Sequence, residues 1–263
     1  MWPKGYQSAA TLTFDFDAEE LWIGEDASNA DRPVVLSMGT YGAKVAVPEI
    51  VRILRHYQAP ATFFVPGRVV ERHREVVSDV LEAGHELALH GYTHSAPNRM
   101  SREEEADELD RSLAVWRALG VQPSGYRPPS FEMSAHTLTL LEERGIAYSS
   151  VFMDDIRPYR HPGRQLIELP LQWILDDAPH FWFDPSTWTK KISTNDEVWQ
   201  IWKAEIDAIH AMEGLSVITM HPQIIGRPGR LALLRRLVGY LQSIDGLWLS
   251  TCEDIAAQFA SSN

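Results

Sequence analysis

The chain has 263 residues, 44% of them apolar and 23% charged, enough to bury the core of one large α/β domain or two small ones. Acidic residues outnumber basic ones 36 to 24, and the net charge of −12 disfavours nucleic acid and anionic membranes as partners, since both demand basic surface. The single cysteine, Cys252, excludes an intramolecular disulfide and fits a reducing compartment.

The start, Met1-Trp-Pro-Lys-Gly-Tyr6, has no apolar secretory core, and no run approaches the ~18 apolar residues of a membrane span. The expectation is a cytoplasmic protein. Strand-like runs then alternate with helical ones. Ala9–Phe16 precedes a helix at 48–57, Ala61–Val65 a helix at 69–83, and Glu86–Leu89 a helix at 102–119. Gly125–Arg127 precedes a helix at 135–144. Tyr148–Val151 and Leu166–Leu169 follow, then a helix at 196–212. Leu215–His221 precedes a helix at 230–244, and Trp248–Ser250 one at 252–260. Capping boxes open three helices, at Ser101 with Glu104, Thr194 with Glu197, and Ser250 with Glu253. Residues 20–46 show no period and contain Gly24, Pro33, Gly39 and Gly42. Residues 171–193 are rich in aromatics, among them Trp173, Phe181, Trp182, Phe183 and Trp188. Long irregular stretches of this kind are usually functional or lie at an interface. The alternation predicts a parallel sheet, closed or nearly closed into a barrel, in one domain over 1–263 without repeat or linker.

Chemistry concentrates at strand ends, where such sheets collect their catalytic groups. Thr13-Phe-Asp-Phe-Asp17 alternates as a half-buried strand does, so Asp15 and Asp17 project from one face roughly 6–7 Å apart. Two carboxylates that close need a cation or a shared proton. His90-Gly-Tyr-Thr-His94 places two imidazoles at i and i+4, one turn apart, a spacing suited to one metal ion. Gly125-Tyr-Arg-Pro-Pro-Ser-Phe131 ends a strand with a cation and a stiff turn. Phe152-Met-Asp-Asp-Ile-Arg157 follows the next with two carboxylates, and Ile218-Thr-Met-His-Pro222 finishes an apolar strand on a histidine. His56, His73, His85, His136, His161, His180 and His210 lie outside these motifs and read as structural.

In order and spacing these five segments resemble the polysaccharide deacetylase family, over about residues 9–259. That implies a distorted (β/α)7 barrel and a metal-dependent hydrolase of non-peptide C–N bonds. Four segments resemble more closely a branch containing cyclic imidases, allantoinase-like enzymes and a peptidoglycan-deacetylase-like protein. They are Phe14–Glu19, His90–His94, Leu169–Asp177 and His221–Pro228. Members of that branch look like small cytoplasmic homotetramers.

Carried over by residue, the resemblance implies that Asp17, His90 and His94 hold a divalent metal ion, zinc first. Asp15 would be the general base and Arg127 the cation that orients it. His221 would be the general acid, supported by Asp155 or, as the second choice, Asp154. The Ser130 N–H would help hold the oxyanion. Two departures stand out. Phe16 separates the two aspartates, which most members have adjacent, and Ser130 stands where a tyrosine is usual. Both weaken a polymer substrate. Two substrates compete, a small cyclic imide or ureide and an N-acetyl amino sugar or glycan, and the first is preferred.

Overall fold

The computed structural model describes residues 1–183 and 192–262. The sheet is built on β1 (Ser8–Asp15), whose eight residues are all buried. Its small, β-branched and aromatic side chains suit a strand covered on both faces. Next come β2 (Thr62–Val65), β3 (Glu86–Leu89), β4 (Gly125–Tyr126) and β5 (Tyr148–Ser149). They are followed by β6 (Tyr159–Arg160), β7 (Ile167–Glu168), β8 (Leu215–Met220) and β9 (Leu247–Leu249). The order is β6-β7-β5-β4-β3-β2-β1-β8, with β9 also pairing with β1. All pairings are parallel except that of β6 with β7. The register of β1 runs from Ala9 opposite Leu215 to Phe14 opposite Met220. β2 matches its last three residues and β9 its first three. A parallel bridge between Asp176 and Thr219 draws the chain after β7 against β8, and this curls the sheet into an incomplete barrel.

The helices are α1 (Glu20–Glu25), α2 (Pro33–Tyr41), α3 (Val47–Tyr57), α4 (Gly67–Arg72), α5 (Arg74–Glu82) and α6 (Arg102–Ala118). They continue with α7 (Thr137–Glu143), α8 (Ala178–Phe181), α9 (Asn195–Ala211), α10 (Pro222–Ile225), α11 (Leu231–Ser243) and α12 (Cys252–Ser262). On α6, Leu109 and Trp116 are buried, with Ala106 and Leu113 packed beside them, so the stripe read from the sequence is its inner face. The capping boxes at Ser101 and Thr194 form as expected. The one at Ser250 does not: Thr251 Oγ1 accepts the Asp254 N–H at 3.2 Å, and Ser250 donates to the Asp254 carboxylate at 2.8 Å.

Residues 20–46 are not an irregular loop but a helical cover over one side of the barrel mouth. The glycines that broke the period are there for close packing. A Cβ on Gly39 would lie 2.4 Å from the Ala18 carbonyl carbon, and Gly42 lies in a π-turn against Gln223. That turn joins α2 to α3 in one run, Pro33–Tyr57, long and apolar enough by length and composition to cross a membrane. In this fold Val47, Ile50, Ile53 and Leu54 of the run are buried in the core.

Candidate active site

Each candidate side chain lies at, or just past, the C-terminal end of a strand. Asp15 ends β1 and Asp17 follows by two residues, His90 follows β3, Arg127 follows β4 and His221 follows β8. The barrel mouth brings these ends together.

Asp17, His90 and His94 form the deepest group, almost wholly buried. His90 Nε2 lies 3.3 Å and His94 Nε2 3.7 Å from Asp17 Oδ1. The histidines are not a helical turn apart. Gly91 (φ 72°) and His94 (φ 52°) are left-handed, and the segment between β3 and residue 97 is a loop. His90 Nδ1 donates to the Arg127 carbonyl at 2.8 Å, which leaves the Nε2 lone pair free to face Asp17. Neither Asp17 oxygen has an aligned hydrogen-bond donor among the described residues. Burial pushes its carboxyl up, but the neighbouring His94 and His90 imidazoles outweigh that and hold it below the usual carboxylate range. Burial holds His94 down to about 4, so it is a neutral imidazole at physiological pH. A buried carboxylate without aligned donors, facing two imidazole nitrogens, is costly unless a cation completes it. One carboxylate oxygen and two imidazoles suit a divalent transition metal such as zinc.

Beside this trio, Asp15 Oδ1 accepts from Arg127 Nη1 at 2.6 Å. Arg127 is fully buried and donates as well to Thr13 Oγ1, Ser150 O and Ser150 Oγ. Its guanidinium lies 4.1 Å from the Phe64 ring centroid. A cation fixed on every side orients the Asp15 carboxylate and fills one of its lone pairs, leaving the other oxygen for a proton.

His221 has a different partner from the one expected. Its Nδ1 donates to Asp177 Oδ1 at 2.7 Å, and its backbone N–H to Asp177 Oδ2 at 3.0 Å. Asp155 is exposed and accepts the Ile156 and Arg157 N–H groups at 2.6 and 3.1 Å. Asp154 accepts the Tyr159 hydroxyl. The reason is topological: after β5 the chain turns outward toward β6, whereas Asp177 donates its N–H to Thr219 O and so lies beside the end of β8. A signal existed, because Asp176-Asp177 close the segment Leu169–Asp177 that had already stood out. Burial would lower the His221 pKa, but Asp177 and Asp176 override it and hold the imidazole protonated well above its usual range. Burial raises Asp176 to about 7.

Ser130 (φ 59°) and Phe131 (φ 53°) sit in left-handed backbone, strain that a functional turn can sustain. They line a cavity of about 90 Å³ with Asp15, His90, His94 and His221, and Trp173 walls it beside Phe131. The Phe131 and Trp173 rings are 4.8 Å apart. Phe181 and Trp182, of the same aromatic-rich stretch as Trp173, line a separate pocket of about 330 Å³ with Trp22. Trp188 lies outside the described residues.

A buried carboxylate clamped by arginine, a histidine held by a second carboxylate and a buried Asp-His-His trio that could hold a metal ion suit a metal-dependent hydrolase. The family model "Polysaccharide deacetylase" matches residues 27–149. A Mycobacterium smegmatis protein assigned to the polysaccharide deacetylases is 38% identical, with a TM-score of 0.96 over 100% of this chain and 93% of that one. The peptidoglycan deacetylase of Helicobacter pylori is 28% identical over 95% of both chains. Puue allantoinase, at 22% identity, shares the fold with a TM-score of 0.86 over 100% of this chain and 93% of that one. The chain belongs to the polysaccharide deacetylase family, metal-dependent hydrolases of C–N bonds other than peptide bonds.

Proposed function

We propose that the protein opens a small cyclic amide, an imide or ureide, and that zinc is its metal. The observation that carries this reading is the size of the reaction chamber. At ~90 Å³ it is on the scale of one small ring rather than of a sugar chain. Flat aromatic walls at Phe131 and Trp173 suit a planar imide.

When bound, a divalent ion at Asp17, His90 and His94 supplies Lewis acidity to the amide carbonyl and lowers the pKa of water. Asp15 takes the proton of the attacking water as its oxygen bonds to the amide carbon. Arg127 keeps that carboxylate in position throughout. Ser130 lines the chamber, and its N–H would be the backbone donor to the developing oxyanion. As the C–N bond breaks, His221 passes its proton from Nε2 to the departing nitrogen, while Asp177 holds Nδ1. The product of an imide is a ring-opened half-amide.

A second reading has its own support. A wider depression of about 380 Å³, lined by Glu132, Met133, Phe152 and Met153, shares Ser130, Phe131 and Trp173 with the chamber. It offers room for a sugar, and the similarity to the H. pylori peptidoglycan deacetylase points to N-deacetylation. Zinc-loaded protein incubated in parallel with succinimide, hydantoin and an N-acetylglucosamine oligomer decides between them. Ring opening faster than acetate release is expected, and the reverse replaces the first reading with the second. The proposal includes a cytoplasmic homotetramer, as in the branch it resembles, and a monomer by light scattering removes that part.

A further inference from the structure

The loop between the two histidines is held from outside. Glu108, on α6, accepts the Tyr92 N–H at 3.0 Å and the Thr93 N–H at 2.9 Å through Oε2. Its Oε1 accepts the Thr93 hydroxyl at 2.9 Å. One turn along the same helix, Ser112 donates to the Gly91 carbonyl at 2.9 Å. From α4 and its start, Gly67 N–H bonds the Gly91 carbonyl and Arg68 N–H the Tyr92 carbonyl, both at 3.0 Å.

A four-residue span that ends in a left-handed His94 has little local reason to hold one shape. Left alone, Gly91 at φ 72° would let the two imidazoles part. Glu108 removes that freedom by fixing two successive N–H groups with one oxygen. Other acids of α6 make no such bond. Glu104 is engaged in the capping box of its own helix, and Glu105 accepts the Ser134 and Thr137 hydroxyls.

We propose that Glu108 is a positioning residue for the metal pair, the carboxylate that locks Tyr92-Thr93 so that His90 and His94 present Nε2 to one ion. This rests on the reading of Asp17, His90 and His94 as the metal site. Groups that orient metal ligands from behind are worth about 10- to 100-fold in affinity. Glutamine is the informative replacement. Its oxygen accepts both N–H groups and its amide donates to the Thr93 hydroxyl, so the geometry survives loss of charge.

The test is the zinc dissociation constant of metal-stripped full-length protein, measured by competition with a chromophoric chelator. Thermal melts of the metal-free proteins run alongside. Glu108→Ala is expected to bind zinc at least about 10-fold more weakly. Glu108→Gln is expected to stay within about threefold of the parent. Parent-like affinity in the alanine variant overturns the proposal, and so does a glutamine variant as weak as alanine, because charge and not loop geometry would then matter. If the alanine variant fails to fold, Glu108→Asp is judged by the same measurement: weaker binding supports the role and parent affinity overturns it. His94→Ala separates the two layers. If it binds zinc like the parent, the metal site itself is wrong. If it loses zinc while the Glu108 variants do not, only the role of Glu108 falls.

Discussion

The two ends of the barrel both bury carboxylates, and they treat them in opposite ways. At the start of β3, Glu86 accepts Thr62 Oγ1 at 2.6 Å and the Glu253 N–H at 2.9 Å on one oxygen, and Tyr148 OH at 2.5 Å on the other. Burial raises its pKa to about 7, but both oxygens have donors from the protein itself. At the other end, both Asp17 oxygens and His94 Nδ1 lack such partners among the described residues. Closed hydrogen bonding at one end ties α12, β2, β3 and β5 together. Open valence at the other is capacity kept for something that is not protein.

The sharpest way to break this contrast is to remove the base. Asp15→Asn is expected to lower kcat by at least about 10³-fold, within the range for a positioned general base. Zinc binding is expected to stay near the parent's, because Asp15 is not among the donors facing Asp17. Some stability is lost, since Arg127 keeps its charge in a buried site while the asparagine oxygen still accepts its hydrogen bond. Wild-type turnover in a zinc-loaded variant would falsify the mechanism.

Next comes Asp177→Asn, expected to cost about 10²-fold in kcat. Asp177 raises the His221 pKa, so its removal lowers that pKa, and an acid is competent only below its own pKa. The alkaline limb of kcat/KM is therefore expected to move to lower pH. A rate loss with an unmoved limb assigns Asp177 a steric part only.

Much of the open end was legible in the sequence, and what was hidden has physical causes. Strand ends were found because apolar alternation stops abruptly at Asp15, Leu89 and Met220, and the chemistry follows at once. Asp177 was missed because its partnership is 44 residues long and created by one bridge to Thr219, which no local period announces. Asp155 was chosen in its place because it follows a strand, as His90, Arg127 and His221 do, but that strand ends beneath an outward turn. The histidine pair was grouped by its spacing as one turn apart, but i and i+4 describes only separation along a chain, and here the span runs through the left-handed backbone of Gly91 and His94. Residues 20–46 hid their helices behind glycines that serve close packing against Ala18 and Gln223.

At the closed end the expected effect is on stability. The Glu86 pKa is raised in the folded state, from 4.5 to about 7, so folding takes up a proton between those values. Its contribution is full below pH 4.5 and is lost as pH rises through about 7. Glu86→Gln removes that loss while keeping an acceptor for Thr62 and Glu253. Relative to the parent, the variant is expected to gain stability as pH rises through 7, by at most about 3 kcal/mol. Turnover of the zinc-loaded variant is expected to match the parent's. Paired denaturant melts at pH 5 and pH 8 check this, and a pH-independent difference shows that Glu86 is not the group that titrates there.

The smallest effect belongs to Asp155, and its smallness is what makes it useful. Its carboxylate does no more than cap a turn, accepting the N–H groups of Ile156 and Arg157 at an exposed position. Asparagine makes the same turn with its side-chain oxygen, so Asp155→Asn is expected to change stability by less than about 0.5 kcal/mol. Alanine gives up both bonds and is expected to cost about 1 kcal/mol. Neither change reaches His221, whose two bonds both run to Asp177. kcat, KM and the alkaline limb are therefore expected to match the parent in both variants. Measured beside Asp177→Asn under the same zinc loading, the pair isolates one variable, which carboxylate holds the acid. If Asp155→Asn moves the alkaline limb as far as Asp177→Asn does, the assignment made from the geometry of β8 is wrong, and the outward turn after β5 must fold back over the mouth during turnover.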